Sequence, residues 1–234
     1  MDKQFKYKET DKMGDLICGN YTLLQVMSRF GLSLGFGDKT VREVCLLNNV
    51  DCLTFLAVVN FIDKGCVALD FSSEKLSIAP LMDYLKQAHF YFLDFSLPAI
   101  RVKLINAIDC SENEVAFLIL KFFDEYVNEV RKHMDYEDKT VFKYVDSLLK
   151  GESSENYSIA VFSKKHSQVE ARLTELKNII IKYYPAKSNN NLLNAVLFDI
   201  YTCEKELESH NMVENYLFVP EILKLEKKLA KNKQ

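Results

Sequence analysis

The stretch HMDYE, His133 to Glu137, lies inside a long segment whose apolar residues recur every three or four positions. Ile119, Phe122, Tyr126, Val130, His133, Glu137, Val141, Tyr144 and Leu148 trace one face of a helix. His133 and Glu137 therefore stand one turn apart on the stripe meant for the core. The outline returns at HNMVE, His210 to Glu214, again on an apolar stripe. An imidazole and a carboxylate directed at a core are costly unless something pairs with them.

Working outward, residues 77 onwards hold four such segments. The first carries Met82, Leu85, His89, Phe92, Ile100 and Leu104, and the second is the one above. The third carries Ile159, Phe162, His166, Val169, Leu173, Leu176 and Ile180. The fourth carries Leu193, Val196, Ile200, Cys203, Leu207, His210, Glu214 and Leu217. The polar breaks AIDCSEN (with Ser111 as an N-cap), KGESSEN and YYPAKSNNN separate them. Long helices joined by short loops pack as antiparallel neighbours, so the pattern predicts an up-down four-helix bundle. Pro98 falls inside the first segment and should kink or divide it.

Residues 13–63 read differently, as short helical patterns around a glycine-rich hinge, GLSLGFGDKT. Leu23, Leu24, Met27 and Phe30 have helix spacing, Thr40 with Glu43 forms a capping-box pattern, and Asp51 is an N-cap candidate. A linker follows, DKGCVALDFSSEKLS. The chain is thus expected to be all-α: a small helical domain and linker over residues 1–75, then a bundle over 76–234. The charged tail, residues 221–234, is expected to be a fraying helix end.

Composition excludes several classes of function. Net charge is −3, so no global basic field points to nucleic acid; Arg29, Lys39 and Arg42 near the hinge read as solvated charges. No apolar run reaches the roughly 20 residues of a membrane span. The polar N-terminus lacks a signal-peptide core, so a cytoplasmic location is expected. The 6 cysteines show no CxxC pair and read as buried reduced thiols.

All 4 histidines fall in the bundle segments, one on each stripe: His89, His133, His166 and His210. An up-down arrangement brings the early parts of helices one and three level with the late parts of two and four. The four imidazoles would then share one layer. Three of them have Glu at +4, namely Glu137, Glu170 and Glu214. Acids make up 33 of 234 residues, so chance gives such a match odds of about one in a hundred. A lone histidine on an apolar face is usually a hydrogen-bonded core residue. Four together with carboxylates point to a metal centre instead. Imidazole and carboxylate without thiolate suit iron, manganese or zinc. The zinc-protease pattern HExxH is absent. Ferritin-like sites use Glu-x-x-His, whereas this chain has His-x-x-x-Glu, an order that points to a hemerythrin-type centre.

With both parts in view, the sequence resembles the iron–sulfur cluster repair di-iron proteins, the RIC (YtfE/ScdA) family. The likeness rests on AHFYFLDFSLP, HMDYEDKTVF, KKHSQVE and HNMVENYLFVP, with the apolar pairs Val141-Phe142 and Leu217-Phe218 trailing Glu137 and Glu214 and a late Pro220. It implies a ScdA-N-like domain followed by a hemerythrin-like bundle. It implies two non-haem iron ions, oxo- or hydroxo-bridged, held by His89, His133, Glu137, His166, His210 and Glu214. Glu137 and Glu214 would be the bridging carboxylates, and Glu170 would stand outside the ligand set. The implied function is repair of iron–sulfur clusters under oxidative or nitrosative stress, as a monomer or homodimer. Its partners would be damaged iron–sulfur proteins or small diatomic ligands (O2, NO), with neither nucleic acid nor membrane. The chain departs from the family at the hinge, where Gly35-Phe36 stand in place of a Cys-Cys pair. That departure favours an alternative, a hemerythrin-like O2 or NO sensor without repair activity. Cys45 is nearby but belongs to the next helix, as an inert thiol.

Overall fold

Helices dominate because little interrupts them: 7 glycines and 4 prolines serve 234 residues. A computed structural model describes residues 6–65, 75–108, 114–152, 157–164, 170–184 and 190–231. The helices are α1 (Met13–Gly19), α2 (Leu23–Arg29), α3 (Val41–Leu47), α4 (Cys52–Asp63), α5 (Ile78–Phe90) and α6 (Leu97–Ala107). They continue as α7 (Glu114–Tyr136), α8 (Phe142–Leu149), α9 (Glu170–Tyr183), α10 (Asn190–Val213) and α11 (Val219–Lys231). Three π-helical turns, Tyr91–Ser96, Glu137–Val141 and Glu214–Phe218, join α5 to α6, α7 to α8 and α10 to α11. Among the described residues, β structure is limited to an isolated bridge between Lys12 and Thr40. The fold is an all-α helical bundle, as the apolar spacing predicts.

The chain forms two compact units. One comprises residues 1–88, 148–153 and 209–234, and the other residues 89–147 and 154–208.

In the first unit, α2 packs on α1 and α4, and α3 packs on α4. Met13, Leu16, Leu23, Val26, Met27 and Phe55 are buried there, whereas Leu24 is exposed. The RFG turn closes α2 as a Schellman motif. Gly31, at φ +72°, donates to Ser28 O at 2.9 Å, and Leu32 donates to Met27 O at 2.9 Å. Thr40 and Glu43 form the capping box, and Asp51 accepts from Thr54 N at 2.8 Å. Asn60 is buried and acts on the N-terminal segment as a second backbone would. Its Oδ1 accepts from Tyr7 N and its Nδ2 donates to Tyr7 O, each at 2.9 Å. Arg29 departs from the expected solvated charge: it is buried and donates to Tyr84 Oη at 3.4 Å. The hinge itself is shaped for glycine, because Gly35 has φ +95°, where a side chain is strained. A cysteine at that position would meet that strain. The tail forms a helix end as expected: residues 219–231 are helical, with Glu221 buried and accepting from Lys224 Nζ at 2.6 Å.

In the second unit, α7 packs against α6, α9 and the Tyr91–Ser96 turn. His89 meets Glu137, and further along the chain Arg101 meets the earlier Asp124 in a bidentate pair at 2.7 and 2.9 Å. Partners that advance on one segment and retreat on the other mark antiparallel packing. The α7 stripe runs through Ile119, Phe123, Tyr126 and Val130, so Phe123 takes the inward place expected for Phe122. Val145 does the same for Tyr144. Both steps fit a three-or-four alternation, and packing selects between them. Lys177 joins α9 to α10 through Glu204, which also accepts from Thr174 Oγ1 at 2.8 Å. The first segment is divided as expected, with Pro98 at the start of α6. The expected N-cap Ser111, most of the linker after Asp63, and both Cys66 and Cys110 lie outside the described residues.

Two measurements check this packing. Phe123→Ala should cost about 3–5 kcal/mol in urea unfolding, with Phe122→Ala costing less than half as much. Burial, with the neighbouring Cys52 adding to it, pushes the Cys45 thiol up, away from its reactive thiolate form. Iodoacetamide should therefore modify the exposed Cys18 first and reach Cys45 only on unfolding, as read by mass spectrometry.

Candidate metal centre

Helix α7 delivers two ligand-type side chains because its register is unbroken to its end. His133 lies in the last turn of α7, and Glu137 opens the π-helical turn that follows. The His133 imidazole places Nε2 at 2.9 Å from Glu137 Oε1. From α5, His89 places Nε2 at 3.0 Å from Glu137 Oε2. Each carboxylate oxygen thus faces one imidazole. The Glu137 side chain is 0% exposed, against 3% for His89 and 19% for His133. Burial would raise the Glu137 carboxyl, but the His133 and His89 imidazoles against its two oxygens outweigh it and hold the group below the ordinary carboxylate range.

His89 is gripped on two further sides. Its Nδ1 lies 3.0 Å from Asp138 Oδ1, and its ring stacks on Phe142 with centroids 5.5 Å apart and planes at 23°. Phe142 and Asp138 both lie in the HMDYEDKTVF motif, but Asp138 was not a candidate from sequence. The signal that could have found it is its adjacency to Glu137, and acids beside acids are common on helix surfaces.

Helix α10 follows the same local plan. His210 lies in its last turn, and Glu214 opens the next π-helical turn. His210 Nε2 stands 3.2 Å from Glu214 Oε1, with both side chains buried.

Of the six residues predicted as ligands, one unit brings together His89, His133 and Glu137, and the other pairs His210 with Glu214. His166 and the side chain of Glu170 lie outside the described residues. Imidazoles and carboxylates, without a thiol, match the donor preferences of iron, manganese or zinc. Two carboxylates with no exposure also need positive charge nearby, which a cation supplies. The residues present therefore fit a bound metal.

The family description "Hemerythrin HHE cation binding domain" matches residues 81–222, a span that includes His89, His133, Glu137, His210 and Glu214. No curated protein matches the chain. The matched span is more than half of the 234 residues, and the chain belongs to the hemerythrin HHE cation-binding family.

Proposed function

We propose that the chain is a non-haem di-iron protein held by His89, His133, Glu137, His166, His210 and Glu214, with Glu137 and Glu214 as the bridging carboxylates. The observation that carries this reading is a buried carboxylate with imidazole at its oxygens in each unit: Glu137 with His89 and His133, and Glu214 with His210. Iron ions bound there would supply a redox-active point of attachment for O2 or NO. The chain's own residues do the rest. Glu137 and Glu214 bring negative charge into a dry site, and the imidazoles fill coordination positions without adding more. Phe92, Phe123, Tyr126 and Phe218 are buried on the apolar stripes of the helices that hold the ligands.

Resemblance to the repair proteins supports a role in restoring iron–sulfur clusters damaged by oxidative or nitrosative stress. The accompanying division is a small helical domain over residues 1–75 and the bundle over 76–234, in a cytoplasmic protein. No helix of the described residues is long and apolar enough to cross a membrane.

The hinge favours a second reading, reversible O2 or NO sensing. Gly35 and Phe36 stand where the repair family has thiols, and Gly35 holds a backbone conformation that disfavours a side chain. Reactivation of a cluster-damaged enzyme supports repair, whereas reversible diatomic binding without reactivation supports sensing.

Metal analysis of anaerobically purified protein tests the common ground. The expected result is close to two irons per chain, falling sharply in the double variant His133→Ala/His210→Ala. Less than one iron in the wild type, or unchanged iron in the double variant, would overturn the assignment.

A further inference from the structure

We propose that Asp138 is a positioning residue for His89: it accepts the ring's Nδ1–H and so presents the Nε2 lone pair on the side of Glu137. The inference rests on the reading of His89 and Glu137 as metal ligands.

Three observations carry it. Asp138 Oδ1 lies 3.0 Å from His89 Nδ1. Glu137 Oε2 lies 3.0 Å from Nε2 of the same ring. Phe142 stacks on the ring face. One short run of chain, residues 137–142, therefore fixes this imidazole at both nitrogens and on one face.

Successive residues of an α-helix point about 100° apart, too far for neighbours to grip the two edges of one ring with ease. Residues 137–141 form a π-helical turn, and Phe142 N bonds Glu137 O, five residues back. The wider turn brings successive side chains closer to a common direction.

The chemistry follows from the imidazole. A neutral ring has one N–H and one lone pair, and the partner at one nitrogen decides which form the other presents. A carboxylate only accepts, so Asp138 requires the proton on Nδ1. Nε2 then has the lone pair that a cation needs. A carboxylate bound to the far nitrogen of a metal-ligating histidine fixes ring orientation and raises its basicity. Asp138 is 42% exposed while His89 is 3% exposed, so the carboxylate reaches from the rim to a buried ring.

The test uses the full chain as wild type, Asp138→Asn and Asp138→Ala, with Zn2+ as a diamagnetic probe and Fe2+ under anaerobic conditions. Nitrogen-15 spectra of the imidazoles give the protonated nitrogen directly, with His89→Gln identifying the resonance among 4 histidines. In wild type the expected result is a proton on His89 Nδ1, both metal-free and with Zn2+ bound. In Asp138→Ala that proton should be lost, and competition with a chromophoric chelator should show metal affinity about 10–100-fold weaker. Asp138→Asn keeps an acceptor oxygen, so it should retain the Nδ1 proton and recover part of the affinity. A general loss of packing would not give that ordering.

An unchanged Nδ1 proton in Asp138→Ala, or unchanged metal affinity in both variants, would overturn the proposal. Wild-type protein that takes up neither Zn2+ nor Fe2+ would overturn the metal reading. The metal-free spectra would then still decide whether Asp138 sets the ring's protonation.

Discussion

The Glu137 carboxylate, with no exposed surface and an imidazole at each oxygen, sets the terms for the rest of the site. An ionised carboxylate in an apolar interior is tolerable only with positive charge or strong donors at hand. Here the polar neighbours are His133, one turn earlier on α7, and His89 on α5. The first contact needs α7 to stay helical to Tyr136, so that positions 133 and 137 share a face. The second needs the α5 segment to run antiparallel to α7, and the Arg101–Asp124 pair holds that arrangement further along. His210 and Glu214 repeat the first contact on α10.

Each candidate ligand on α5, α7 and α10 sits beside a π-helical turn, and two of these turns have a visible cause. Leu97 N bonds Phe92 O and Val219 N bonds Glu214 O, both five residues back. The next residues are Pro98 and Pro220. Proline has no N–H to donate, and its ring collides with the carbonyl four residues back in a regular α-helix. Widening the turn just ahead relieves that collision and lets the helix continue. The turn at Glu137–Val141 has no proline after it; the sequence continues Phe142-Lys143. Its grip on His89 is the feature that sets it apart from the other two.

Much of this was legible in the sequence, because helical periodicity and His-x-x-x-Glu spacing are both local. The stripes through Met82, Leu85, His89 and Phe92, and through Val196, Ile200, Cys203 and Leu207, are buried as their spacing predicts. The capping box at Thr40 and the cap at Asp51 are equally local signals, and both are present. What escaped prediction depends on other segments. Whether Phe122 or Phe123 faces inward is decided by packing, since each fits the alternation. Arg29 reads as a surface charge until Tyr84, 55 positions away, provides a buried partner. Asp138 gains its meaning only when α5 brings His89 to it. In the tail, the burial of Glu221 and Ile222 leaves no trace in the charge pattern.

Stability alone gives no reason for such a site. Replacing a buried ion pair by apolar residues of similar volume is often neutral or stabilising, so leucines at these positions would serve a bundle at least as well. The arrangement is also more particular than charge compensation requires. A single donor beside Glu137 would relieve much of its burial, yet two imidazoles share its two oxygens, and one of these is held by a further carboxylate and an aromatic face. Restricting a ring that tightly lowers the cost of ordering it at the moment of binding. That economy is useless to a core and valuable to a ligand. Both carboxylates with no exposure are placed at the first residue of a widened turn, where a helix can aim a side chain without ending. Those features together describe residues organised around a cation, and they do so from the chain's own geometry, independently of the family it belongs to.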